Sequence, residues 1–178
     1  LRDNSAVSKS KRFKQQFGNK VVNEIEGNSG NKSSPSSGMF SVENGKLHFT
    51  SQTGVMIENA TALTMQEWHH VAIVFDENSA QFFINGESGT SAGGDFSIDG
   101  SKFFGTKTDI ASRGTSFFSG RIDELRVWNT LRTQQQIKAN MNAPINEQMP
   151  ELIAYWKFNE GGGNTATDES FNTYTAII

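Results

Sequence analysis

A chain of 178 residues with 35% hydrophobic content, 14 Phe and 3 Trp can bury one two-layer core without metal or disulfide staples. Its net charge of −3 excludes a basic phosphate-binding face as the main surface, which argues against nucleic acid as partner. Zero Cys excludes disulfides, thiolate metal sites and cysteine nucleophiles. Seventeen Gly against 3 Pro favours an all-β chain with frequent tight turns. No run reaches the ~18 apolar residues of a membrane-spanning helix, so no membrane insertion is expected. No signal peptide is evident, and Leu1 is not a Met start, so residues 1–178 are expected to be one domain of a longer protein.

In chain order, the basic cluster Lys9, Lys11, Arg12 and Lys14 reads as a solvated strand edge or loop. Val21, Val22 and Ile25 could sit in a strand, and Gly27 to Ser37 is loop by composition. Met39 to Phe49 carries alternating apolar residues on both sides of Asn44-Gly45, a dipeptide that accepts positive φ at both central turn positions, and predicts a hairpin. Val55 to Ile57 predicts a short strand. Glu67 to Phe75 is the strongest strand signal, with Val71, Ile73 and Phe75 on one face and Trp68, Ala72 and Val74 on the other. Apolar residues on both faces mark a central strand. Ala80 to Ile84 returns after a polar turn and ends at Asn85-Gly86.

Phe103, Phe104 and Ile110 suggest two further short strands, and Arg121 to Trp128 a longer one. Thr133-Gln-Gln-Gln136 is a capping-box pattern that opens a short helix, with Ile137 and Met141 on one face. Glu151 to Phe158 is another strand, followed by a Gly-rich turn and a last strand near Tyr174 to Ile178. The expected fold is an all-β, antiparallel two-sheet β-sandwich (jelly roll) with one short helix. Residues 146–178 either return as a strand of the same sandwich or open a following module.

Three segments in this order resemble the laminin G-like domains of the concanavalin A-like lectin/glucanase superfamily. Trp68-His69-His70-Val71-Ala72, then Asp76 and Asn85-Gly86, resemble its tryptophan-led hairpin. Phe118-Ser-Gly-Arg-Ile-Asp-Glu-Leu-Arg-Val-Trp128 with Leu131 is similar to its closing strand, which pentraxins share. Leu152-Ile-Ala-Tyr-Trp-Lys-Phe158 through Glu160, Gly161, Asn164, Asp168 and Asn172 resembles a segment of bacterial members. There are two departures. The opening strand pair usual in the family is not recognisable here, so a neighbouring chain or domain is one candidate to complete the sheet. The Ala154-Tyr155-Trp156 segment, which often precedes such a domain, stands last.

The resemblance implies a carbohydrate-binding or adhesive module of a secreted or cell-surface bacterial protein, with a glycan or another surface protein as partner. The alternatives are a structural assembly module completed by strands from another chain, or an accessory domain of a larger hydrolase. Glucanases of the superfamily hold alternating carboxylates in one strand, as retaining glycosidases require. Asp123 and Glu124 are adjacent, so in a regular strand they face opposite ways, and no enzyme activity is expected. His69 and His70 are neighbours too. One packed and one exposed imidazole is expected in place of zinc ligation.

Calcium is the better-supported ion. Asp168-x-Ser170-x-Asn172 places oxygen side chains at alternate positions, as the first part of a calcium loop does, and Gly161 to Gly163 leaves room for carbonyl donation. The resemblance adds Asp123 to this metal set. Trp68, Trp128 and Trp156 have apolar neighbours and are expected in the core. Tyr174, Phe171 and Phe117 are the freer aromatics and the candidate sugar platforms.

Overall fold

The computed structural model describes residues 14–18, 39–51, 53–96, 112–113, 116–117, 120–146, 149–174 and 176–177. Lys9, Lys11, Arg12, Val21, Val22, Ile25, Phe103, Phe104, Ile110 and Phe118, and the strands expected around them, lie outside these residues.

The strands are β1 (Lys14–Gly18), β2 (Met39–Glu43), β3 (Lys46–Thr50), β4 (Met56–Glu58), β5 (His70–Phe75), β6 (Ser79–Ile84), β7 (Glu87–Gly93), β8 (Ser112–Arg113), β9 (Ser116–Phe117), β10 (Asp123–Trp128), β11 (Leu152–Trp156), β12 (Thr165–Ala166) and β13 (Ala176–Ile177). The single helix among the described residues, α1, spans Gln134–Asn140. A six-stranded sheet of order β11-β10-β1-β5-β6-β7 packs on a three-stranded sheet of order β2-β3-β4, and β8-β9 and β12-β13 form small hairpin-like pairs.

Both Asn-Gly turns have the backbone their sequence demands. Asn44 and Gly45 take φ of +50° and +78°, and Asn85 and Gly86 take +52° and +79°. The turns fix the register, pairing Val42 with Leu47 and Ile84 with Glu87.

Strand alternation then sends one set of side chains between the sheets. Phe40, Leu47, Phe49 and Ile57 from the small sheet meet Val71, Ile73, Phe75, Phe82, Leu125, Val127, Ala154 and Trp156 from the large one, all buried. The Phe49 and Phe75 rings bridge the layers with centroids 4.6 Å apart. This is the expected antiparallel sandwich with one departure. β1 lies between β10 and β5 and runs parallel to both, so Lys14, expected at a solvated strand edge or in a loop, instead opens a strand in the middle of the large sheet.

The other face of the large sheet carries the helix. Thr133 caps α1: its hydroxyl accepts from the Gln136 N–H, and the Gln136 side chain accepts from the Thr133 N–H at 2.9 Å. Ile137 is fully buried against Ala72 and Phe83, which stabilises the docked helix by about 2 kcal/mol. Polar contacts hold its first turn on the β6–β7 hairpin, where Gln134 Nε2 donates to the Gly86 carbonyl at 3.0 Å. A side chain at position 86 would meet the Lys138 Cγ at 2.6 Å, so the turn needs glycine for closeness as well as for φ.

Candidate functional site

The segment after β11 is built around one carboxylate. Asp168 is buried and accepts four hydrogen bonds. Its Oδ1 takes the N–H groups of Tyr155 and Ser170, both at 2.8 Å. Its Oδ2 takes the Ser170 hydroxyl at 2.8 Å and the Tyr174 N–H at 2.9 Å. Glu169 N–H donates to the Tyr155 carbonyl, and Asn172 Nδ2 donates to the Ile153 carbonyl. The outward backbone groups of Ile153 and Tyr155 are thus satisfied by side chains and a short bridge instead of another strand.

This arrangement does not fit the expected calcium site. Both Asp168 oxygens already hold two donors each, and a cation would have to displace them. The Asn172 amide points its nitrogen at a carbonyl. Asp123 opens β10, and β11 lies between that strand and Asp168, which stands across from Leu125, so the Asp123 and Asp168 backbones are more than two strand spacings, over ~9.5 Å, apart. Among the described residues no group of three His, Asp or Glu side chains is placed to hold a metal ion.

The three candidate sugar platforms separate. Phe171 is 58% exposed at the tip of the turn that Asp168 braces, next to exposed Asn172 and Thr173. Tyr174 is half-buried and packs on the core, and its carbonyl accepts from the Trp156 indole N–H at 3.1 Å. It therefore acts as support rather than as an open platform. Phe117 belongs to β9, and its side chain lies outside the described residues.

Of the adjacent acidic residues, Glu124 is taken up in a buried network. Glu124 is buried at φ +60°, a left-handed conformation that costs a non-glycine residue about 1–2 kcal/mol. Its Oε2 accepts from Arg126 Nη2 at 2.5 Å and from the Tyr155 hydroxyl at 2.6 Å. Arg126 also donates to the carbonyls of Asn140 and Ala143, both at 2.7 Å, tying β10 to the C-terminal end of α1. Burial and the bond to Glu124 push the Tyr155 hydroxyl up to about 12. No local pattern marks this network beyond three polar residues, Glu124, Arg126 and Tyr155, in apolar strands.

The histidines correct one expectation. His69 and His70 are both buried, neither is exposed, and His69 Nε2 lies 3.0 Å from the Thr64 carbonyl. Of the tryptophans, Trp156 is in the main core, Trp68 packs against it half-buried, and Trp128 is buried in a second cluster with Leu152 and Tyr155 on the helix side.

An antiparallel sandwich with a helix on its outer face has the architecture of the concanavalin A-like domains. The chain belongs to the concanavalin A-like lectin/glucanases superfamily, whose laminin G signature matches residues 9–138. A structure from Bacteroides ovatus ATCC 8483, provisionally named a carbohydrate binding protein, is 20% identical over 88% of this chain with a TM-score of 0.66. The chain spans about half of that protein, 49% of its length. An S-layer domain-containing protein of Clostridium thermocellum ATCC 27405 is 18% identical, covers 65% of this chain and 68% of its own, and has a TM-score of 0.38, too low to carry an argument. No curated protein matches the sequence.

Proposed function

We propose that the chain is a non-catalytic carbohydrate-binding module and that the turn from Asp168 to Tyr174 presents its contact surface. The observation that carries the reading is Phe171: a large aromatic, 58% exposed, on a turn held rigid by four hydrogen bonds to one buried carboxylate. Such a ring offers its face to the C–H groups of a pyranose, and a braced turn loses little entropy on binding. Asn172 and Thr173 beside it supply polar groups for hydroxyls. The superfamily and the name of the Bacteroides ovatus protein support the same reading.

An extracellular or cell-surface setting belongs to this proposal, since polymeric glycans are met there, and cell fractionation tests it. No helix among the described residues is long and apolar enough to cross a membrane. Binding of immobilised glycans, competed by free sugar and lost in Phe171→Ala with an unchanged melting curve, is the expected result. Undiminished binding by Phe171→Ala removes the turn from the site.

A further inference from the structure

The non-glycine residues with a left-handed backbone among the described residues are Asn44, Gln66, Asn85, Glu124, Phe158 and Thr173. Asn44 and Asn85 belong to the two Asn-Gly turns, and asparagine tolerates this region. Glu124 is held by its buried bonds to Arg126 and Tyr155. Thr173, at φ +55°, is the one β-branched residue of the six, and a branched Cβ is the side chain least suited to the conformation.

The fold uses the conformation at position 173 but does not need a threonine there. The reversal lets the next N–H, that of Tyr174, reach Asp168 Oδ2 at 2.9 Å, and the Tyr174 carbonyl accepts from the Trp156 indole. Glycine or asparagine would make the same reversal with less strain. Thr173 is exposed, so core packing does not select it either. Phe158, at φ +53°, is also strained and lies two residues past Trp156, whose backbone bridges to Asp168. Two bulky residues with left-handed backbone thus stand next to the elements that brace the Phe171 turn. Strain of this kind concentrates at binding sites, where a side chain is kept for what it contacts.

We infer that Thr173 is a ligand-contacting residue: its left-handed backbone aims the hydroxyl at the sugar stacked on Phe171, where it bonds to a pyranose hydroxyl. This rests on the reading of the Phe171 turn as the binding surface. An aromatic ring offers contact area to any apolar sugar face. A threonine hydroxyl, which both donates and accepts, adds the directional bond that selects among sugars.

The test is affinity electrophoresis of the whole chain in native gels containing laminarin, xyloglucan, β-mannan or dextran. It is carried through with each polysaccharide that retards the wild type more than Phe171→Ala. Thr173→Val keeps the branched shape and removes the hydroxyl. It should weaken affinity about fivefold, the worth of one hydrogen bond, with an unchanged melting temperature. Thr173→Ser restores a hydroxyl and should recover most of that loss. Thr173→Asn relieves the strain and should raise the melting temperature by roughly 2–4 °C. Wild-type affinity in Thr173→Val, no recovery in Thr173→Ser, or a lower melting temperature in Thr173→Asn overturns the inference and leaves the Phe171 reading standing. Equal migration of wild type and Phe171→Ala in every polysaccharide overturns both.

Discussion

Replacing Arg126 by Met probes the network that joins β10, β11 and α1. The substitution keeps most of the volume but removes three charge-assisted bonds: one to Glu124 at 2.5 Å and two to the Asn140 and Ala143 carbonyls at 2.7 Å. The carbonyls lie at the end of the helix where water can replace the lost donors, so they contribute little to the cost. Glu124 is 3% exposed and would keep only the Tyr155 hydroxyl. Stranding one member of a buried ion pair costs about 3–5 kcal/mol, which in a domain of this size lowers the melting temperature by roughly 8–15 °C. The double substitution Glu124→Met with Arg126→Met removes the stranded charge and should recover about 2 kcal/mol. Guanidinium unfolding of the wild type, the single variant and the double variant measures both quantities. A single variant within ~1 kcal/mol of wild type, or a double variant no more stable than the single, refutes the reasoning.

The Tyr155 hydroxyl, held near 12 against 10.0 in the unfolded chain, stabilises the fold fully below pH 10 and loses that contribution as pH rises from 10 to 12. Denaturant titrations across pH 9–12 should show a decline of order 2 kcal/mol that Tyr155→Phe lacks, and equal slopes in the two proteins would count against it. Asp168→Ala strands four donors at the β11 edge and should cost roughly 2–4 kcal/mol, with concentration-dependent self-association by light scattering, since an unsealed strand edge invites pairing. Calcium titration should give no calorimetric heat, and chelator should leave the melting temperature unchanged. A saturable heat would show that Asp168 exchanges its amide donors for the ion. Phe171→Ala should weaken glycan binding about tenfold or more without changing stability, read by affinity electrophoresis.

Period-two alternation, two Asn-Gly turns and a capping box are local signals, and they were enough to locate β2, β3, β5, β6, β10, β11 and α1 to within a few residues. β7, Glu87–Gly93, left no such trace because its residues are small or polar and mostly exposed at the sheet edge. It is held there by the turn from β6 and by Asn59, whose side-chain oxygen accepts from the Thr90 N–H at 3.1 Å. The exposed character of Phe171 was legible, but the role of the residues before it was not. Asp168, Ser170 and Asn172 have the alternation of a cation loop, yet the neighbouring β11 edge offers N–H and C=O groups within reach, and they bond to those.

The amino-acid order by itself determined which stretches are extended, where they turn and which face of each is apolar, because these depend on residues adjacent in the chain. Only the tertiary structure decided what lies beside each strand. It set β1 parallel between β5 and β10, buried both His69 and His70, and brought Glu124 and Arg126 of β10 into contact with Tyr155 of β11 and the carbonyls beyond α1. The fate of a polar side chain follows from the partner that long-range pairing supplies, and no local pattern encodes that partner.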